Sequence, residues 1–393
     1  MITAFLLGIA FGAIAGLVPG IHINLISSAI LAGSAYLLGH FSATELGVFI
    51  VAMGITHAFV ETVPSIFLGA PDDSTALIML PGHKMLHEGL GYDAVRFATI
   101  GALGCLVSTL ALFPVLLIIF PPIFRILKHF IGWLLLALVI ILIAKEKQDW
   151  WKALIVFSLT GLLGFIVLKK MTLQQPLLPL LSGLFGASSL ALSLFERTKI
   201  PVQIGRFARL DKKEGLKGII GGLISGTLVT LFPGLGPGHA GTLATTIFRS
   251  TGRTYLVLIG GLHTADFLAS ITTLVAIGKA RNGAIATLEQ LMKVTAKDLW
   301  LFGITALIAG IIAAALALLC AKGFSEIVER INYPTLSLSV LVFLVILVAL
   351  IAGWKAIIVL IVSSLIGLLA PWLKVSRAHA MGCLLVPTLT YYL

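Results

Sequence analysis

Apolar segments follow one another along the whole chain, near residues 1–18, 21–39, 46–70, 95–122, 130–144, 153–168, 176–195, 216–233, 235–248, 254–278, 298–321, 335–353, 355–373 and 380–393. Residues 331–354 hold 24 positions between Arg330 and Lys355 without a charge. A helix needs about 20 to cross the hydrocarbon layer of a bilayer. The pattern therefore predicts an all-α polytopic membrane protein. No Asp, Glu, Lys or Arg occurs before Glu45. One helix over residues 1–39 would reach about 58 Å, far beyond a core of about 30 Å, so the chain must break inside this stretch. Pro19-Gly20 in "GLVPGIHIN" is the break: proline removes a backbone donor, and glycine permits the turn while leaving its amide open.

The same grammar returns in the second half. "GAIAGLVPG" (12–20) matches "GTLVTLFPG" (226–234) at four of nine positions, with Pro19 and Pro233 lying 214 positions apart. Downstream, "THAF" (56–59) answers "LHTA" (262–265), with His57 and His263 lying 206 apart. Two matches in one order, at nearly one offset, predict a duplicated architecture. Loop charge then orients the halves. Residues 196–217 carry seven Lys or Arg against three acids and are expected on the cytoplasmic side, together with Arg249 and Arg253. The loop "GHFSATE" (39–45) has no Lys or Arg and is expected outside. The expected organisation is a first repeat over 1–195, a basic linker over 196–217 and a second repeat over 218–393, in inverted topology, with Pro-Gly-broken helical hairpins that are re-entrant or discontinuous.

Broken helices at membrane depth survive only where protein or a water-filled cavity satisfies the freed backbone groups. In transporters such breaks hold cargo, because a half-helix N-terminus offers free N–H groups and positive dipole to an anion. Each Pro-Gly is followed by a histidine, and Gly20, His22, Asn24, Gly234, Gly236 and His239 form the expected midplane site. The plain alternative is a kink between packed helices. A third break is expected in "VPSIFLGAPDDST" (63–75), where Asp72 and Asp73 read either as a helix cap with a solvated neighbour or as a carboxylate pair on a coupling-ion path. Glu61 and Asp266 lie deeper, near His57 and His263; intramembrane acids are costly, which makes them candidates for proton or sodium coupling. "PGHKMLHEG" (81–89) spaces His83 and His87 one turn apart, but the order H-x-x-x-H-E is not the H-E-x-x-H of zinc proteases, and a polar helix at the membrane edge is expected instead.

Composition sharpens the class. The 393 residues are 59% hydrophobic and 11% charged, and the mean hydropathy is +1.10. No water-soluble core of this size requires that balance. The N-terminal apolar run lacks a preceding Lys or Arg and outlasts a signal-peptide core, so it is read as part of the mature protein. Net charge of +11 fits positive-inside loops and is compatible with an anionic substrate or lipid. The basic residues are scattered through short loops, which gives no case for nucleic acid. Cys105, Cys320 and Cys383 stand singly, without the spacing of disulfides or zinc sites. "GKA" at 278–280 is not a Walker A motif, so no ATP hydrolysis, no cofactor and no enzymatic activity are expected.

"GLVPGIHIN", the stretch "THAFVETVPSIFLGAPDDSTALIMLPGHKMLHEGLGYDAVRFATIGAL" (56–103) and "FPGLGPGHAG" together resemble the large permease subunit of tripartite tricarboxylate transporters, the TctA-like family, in its shorter archaeal form. The resemblance is tightest over residues 8–110. It implies a secondary transporter of inverted repeats that moves carboxylates on an ion gradient, with an extracytoplasmic binding protein and a small membrane subunit as partners. Where the family's second repeat carries another small-residue turn, this chain has "VAIGKARNGA" (275–284); Lys279 and Arg281 read either as positive flanks of a span or as cations facing an anionic substrate.

The expected function is a multi-pass cell-membrane transporter that moves an organic anion of the carboxylate class by alternating access, coupled to Na+ or H+. The alternative is a translocase for polyprenyl phosphate, whose proteins also pair Pro-Gly hairpins. An intramembrane hydrolase lacks any nucleophile or metal constellation in this sequence.

Overall fold

The computed structural model describes residues 1–18, 23–68, 79–127, 129–173, 175–195, 201–203, 208–232, 237–248, 252–328 and 333–393. The described residues are helical, with no strand among them. The helices are α1 (Ile2–Leu17), α2 (Ile23–Ala32), α3 (Ser34–Leu37), α4 (Ala43–Val60), α5 (Thr62–Phe67), α6 (Met79–His87), α7 (Gly91–Leu127), α8 (Ile131–Ala144), α9 (Trp150–Phe165) and α10 (Leu177–Leu181). There follow α11 (Ser188–Phe195), α12 (Lys212–Val229), α13 (Pro237–Phe248), α14 (Gly252–Ile277), α15 (Gly283–Leu291), α16 (Ala296–Val328), α17 (Tyr333–Ala352), α18 (Trp354–Leu373) and α19 (Gly382–Tyr392). Wider π turns extend α9 over Ile166–Lys170 and join α10 to α11 over Ser182–Ala187.

Six helical stretches among the described residues are long and apolar enough to cross a membrane: Ala43–Phe67, Gly91–Leu127, Lys147–Lys170, Gly252–Ile277, Ala296–Ile327 and Trp354–Leu373. Large apolar side chains such as Ile118, Ile311, Leu350 and Leu365 stand exposed on the outer helices, the surface that acyl chains cover. The spans of α4 and α14 differ, being enclosed by protein along almost their whole length. They are the centre of the fold.

Local chemistry explains several boundaries. Ser42 and Glu45 form a reciprocal capping box at the start of α4. Asn282 Oδ1 accepts from Ile285 N at 2.9 Å and starts α15, a short helix that apolar periodicity did not announce. Of the stretch 63–75, in which a break is expected, residues 63–68 are described, and there helix continues from α4 through Glu61 and Pro64 in α5 as far as Phe67. Proline removes a donor from this turn, and hydroxyls satisfy neighbouring carbonyls, Thr62 Oγ1 donating to Phe59 O and Ser65 Oγ to Glu61 O, both at 2.8 Å. Gly69, Pro71, Asp72 and Asp73 lie outside the described residues.

Glycine sets how closely the central helices approach. On α1, Gly8 lies against Phe49 and Ala52, Gly12 against Met53 and Thr56, and Gly16 against Val60 and Glu61. On α12, Gly218 lies against Thr254 and Val257, Gly222 against Leu258 and Leu262, and Gly226 against Leu262 and Ala265. Both are G-x-x-x-G-x-x-x-G ladders, the pattern that lets membrane helices pack backbone to backbone. The rising numbers show α1 parallel to α4 and α12 parallel to α14. In turn α4 and α14 run antiparallel, since Gly54 faces Phe267 while Glu61 meets His263. The 37-residue α7, about 55 Å long by helical rise, runs parallel to α14, with Gly101 on Val257 and Cys105 on Gly261. Conversely α16 runs parallel to α4, with Phe302 on Gly47 and Gly310 beside Ile55.

A similar exchange holds at the periphery. Gly164 of α9 packs on Cys383 of α19, and Gly367 of α18 packs on Leu184 of the π turn before α11. Thr160 Oγ1 donates to the His379 carbonyl at 3.2 Å, and Ser363 Oγ donates to the Pro179 carbonyl at 3.3 Å. Gln203 and Ala208 lie against the start of α7: Gln203 Nε2 donates to Leu86 O at 3.1 Å, Ala208 N donates to Asp93 Oδ2 at 2.8 Å, and Arg96 reaches the Ala208 carbonyl.

Candidate functional site

Titratable groups meet where α4 and α14 cross. His57 and Glu61 are four residues apart on α4 and therefore share a face. His57 Nδ1 lies 3.4 Å from Glu61 Oε2, and His263 Nδ1 of α14 pairs with Glu61 Oε1. All three side chains are buried, Glu61 at 4% exposure. Asp266, one turn further along α14, is buried as well. The carboxylate of Glu61 thus has an imidazole nitrogen at each oxygen, one from its own helix and one from the helix opposite.

Two ladder glycines pack on the backbone at this crossing. Gly16, three residues before Pro19, rests on the Glu61 backbone nitrogen, and Gly226, seven before Pro233, rests on that of Asp266. Of the expected site residues, Gly20, His22, Gly234 and Gly236 lie outside the described residues, as do Asp72 and Asp73. His239 lies on α13, and its side chain is outside the description. Asn24 lies on α2, with Gly283 of α15 so close that a Cβ there would come 2.7 Å from Asn24 Oδ1. The loop carrying Lys279 and Arg281 therefore delivers the chain to Asn24.

The two cations themselves sit elsewhere, at the far end of α7. Arg281 Cζ stacks 4.9 Å from the Phe124 ring centroid and Lys279 Nζ lies 5.7 Å from it. Lys279 is exposed, while Arg281 is half-buried and its Nε and Nη2 make no hydrogen bond among the described residues. Burial holds the Arg281 guanidinium below its ordinary pKa, and nearby Tyr392 opposes the shift. A buried donor without an acceptor is costly.

Among the described residues no group of His, Cys, Asp and Glu has the arrangement that holds a metal. His83 Nδ1 approaches the Ile66 carbonyl at 2.9 Å, and its ring meets His87 edge to face at 5.0 Å, which ties α6 to α5. Burial pushes His83 down to about 4, with His87 and Arg377 adding to the effect.

The tripartite tricarboxylate transporter TctA family matches residues 2–382. The chain belongs to that family. An uncharacterized protein of Methanocaldococcus jannaschii is 30% identical over 399 residues, spanning 99% of this chain and 98% of its own length. No solved structure matches. Membership of the TctA family makes this a multi-pass protein of a membrane-transporter family whose substrates are tricarboxylates and whose systems are tripartite. It lends no support to a polyprenyl-phosphate cargo.

Two groups in this TctA-family fold were not singled out as site residues by sequence. His57 and His263 were noted only as neighbours of acids, although the recurrence of "THAF" and "LHTA" was the signal that could have promoted them. Arg377 was not foreseen: it reaches Ser189 Oγ of α11, while its neighbour His379 is held at 2.9 Å by Glu146, so a half-buried cation is fixed beside the π turn. Nothing in the spacing around residue 377 announces that.

Proposed function

We propose that this TctA-family protein is a secondary active transporter of a di- or tricarboxylate, working by alternating access in the cell membrane on an H+ or Na+ gradient. The observation that carries it is the crossing of α4 and α14, where one buried carboxylate joins two histidines from opposite halves, with Gly16 of α1 and Gly226 of α12 packed on the backbone beside it. Ion coupling is assigned to Glu61 and Asp266, with Asp72 and Asp73 on the same path. Substrate is assigned to Gly20, His22, Asn24, Gly234, Gly236 and His239, with Lys279 and Arg281 drawing the anion toward them. A small membrane subunit and an extracytoplasmic binding protein complete the system, as the family implies.

The repeats proposed are residues 1–195 and 218–393 around the linker 196–217, in inverted topology. Support comes from pairings that recur with the halves exchanged. The ladder of α1 on α4 answers that of α12 on α14; α7 accompanies α14 as α16 accompanies α4; Thr160 reaches Pro-free backbone at His379 as Ser363 reaches Pro179. Corresponding helices point in opposite directions in α4 and α14, and in α7 and α16, where Gly303 meets Phe113 and Gly310 meets Leu106. Such pairs suit rocking of one half against the other.

An apolar groove of about 350 Å³ opens between α1, α2 and α4, lined by residues including Leu7, Phe11, Ile30 and Phe49. Its lining has no cation for a phosphate headgroup, so it gives no reason to prefer a lipid cargo. The test is uptake of radiolabelled citrate by proteoliposomes under imposed H+ or Na+ gradients. Wild type is expected to accumulate citrate, Gly20→Leu and Gly234→Leu to lose it through blocked turn amides, and Arg281→Ala to raise KM by about tenfold, the loss of one charge-assisted contact. Stabilisation by a short-chain polyprenyl phosphate, with no response to any carboxylate, would overturn the reading.

A further inference from the structure

We propose that the coupling ion is the proton, and that it is carried by the cluster of Glu61 with His57 and His263, in which the contact from His263 makes and breaks as the two halves move. This rests on the transporter reading above and goes beyond it in naming the ion, the group that holds it and the device that changes its affinity.

The donor set decides the ion. A hard alkali cation takes oxygen ligands, and the two oxygens of Glu61 already face imidazole nitrogens. Histidine is the side chain whose protonation changes near neutral pH. With both rings neutral and Glu61 ionised, the cluster carries one negative charge in a protein-enclosed site. One proton taken from water on one side brings it to net zero, as an imidazolium–carboxylate pair or a carboxylic acid with two neutral rings. Release of that proton to water on the other side restores the charge, with no other reactant. Intramembrane charge is expensive, so the neutral form is the one suited to reorientation.

The geometry supplies the switch. His57 and Glu61 sit on the same helix at i, i+4 and move together. His263 comes from α14, so any displacement of α14 along α4 alters its pairing with Glu61 while the His57 pairing persists. A carboxylate with two imidazole partners and one with a single partner differ in proton affinity, which is the linkage a symporter needs.

The surroundings contribute few competing charges. Of the elements packed against α4, helices α1, α2 and α5 carry no ionisable side chain, and α15 carries only exposed Glu289. From α14 the neighbours are His263 itself and Asp266; α16 keeps Lys297, Asp298, Cys320, Lys322 and Glu326 toward its ends. From α7 come Tyr92, Asp93, Arg96, Cys105 and Arg125, of which Asp93 and Arg96 pair with each other at 2.9 Å. His83, Lys84 and His87 lie on α6, which packs on α5 and α14.

The test uses the full chain in two arms. In detergent without substrate, infrared difference spectra between acidic and alkaline pH should contain carboxyl and imidazole bands that Glu61→Gln removes, Glu61→Asp retains and His263→Gln displaces. Replacing choline by sodium at constant ionic strength should leave the melting temperature of the wild type unchanged. Spectra identical in wild type and Glu61→Gln, or sodium-specific stabilisation that Glu61→Gln abolishes, would overturn the proposal. In proteoliposomes, an inward pH gradient at equal sodium should drive citrate accumulation, and transport by Glu61→Gln, whatever its rate, should no longer respond to that gradient. Accumulation driven by sodium alone would overturn the proton while leaving the transport reading intact. Absence of any carboxylate transport would overturn that reading instead, with the infrared arm still deciding whether Glu61 binds the proton.

Discussion

At the scale of the residue, burial and partner decide what a histidine does. His83 is held at about 4 by burial, well under the ordinary value of 6.5, and stays neutral at physiological pH against the Ile66 carbonyl. In the unfolded chain it binds a proton at higher pH than in the folded one. The contribution to stability is therefore complete above 6.5 and is lost as pH falls from 6.5 toward 4. The expected outcome is a melting temperature that declines over that window, with a smaller decline in His83→Gln; an unchanged slope would show that His83 is not the group responsible. "PGHKMLHEG" told correctly that this segment is helical and polar, yet its spacing said nothing about Ile66, because contact with a carbonyl 17 positions away depends on where α5 ends.

At the scale of the element, small residues determine which helices touch. Gly101 of α7 lies on the Val257 carbonyl of α14, with no room for a Cβ. Replacing it by Leu forces the two helices apart, an overpacking cost of about 1–3 kcal/mol. Gly323, on α16, has nothing within 4 Å of the position its Cβ would take and is the matched control. Gly101→Leu is expected to lower the melting temperature and broaden the size-exclusion peak, whereas Gly323→Leu leaves both near wild type; equal behaviour of the two would sink the close-packing account. The ladders Gly8, Gly12, Gly16 and Gly218, Gly222, Gly226 stand plainly in the sequence at four-residue spacing. Their partners do not, since α4 and α14 carry no glycine stripe at that spacing and no single apolar face that would mark which side is packed.

At the scale of the whole molecule, inverted topology is a statement about faces. The start of α4 and the start of α14 lie at opposite ends of the core, because the two helices run antiparallel. Single cysteines at Ser42 and Lys212, in a background without Cys105, Cys320 and Cys383, are therefore expected to react with an impermeant thiol reagent from opposite sides of the membrane. Reaction of both from one side would remove the inverted arrangement and with it the argument for rocking halves.

Hydrophobic length and the positions of Pro, Gly and charge determined the all-helical polytopic class, most helix boundaries, the end of α1 at Leu17 and the burial of Glu61 and Asp266. These are local properties: an unbroken apolar run of about 20 residues, without the alternation of a barrel strand, satisfies its backbone groups in a bilayer within its own segment, as a helix. Only the tertiary structure decided that helix runs through Pro64 to Phe67, that α15 exists and carries the Arg281 loop to Asn24, and that His57 and His263 close on one carboxylate. Those outcomes depend on which helix lies beside which, and in a bilayer nothing in hydropathy distinguishes a lipid neighbour from a helix neighbour, since both are equally apolar.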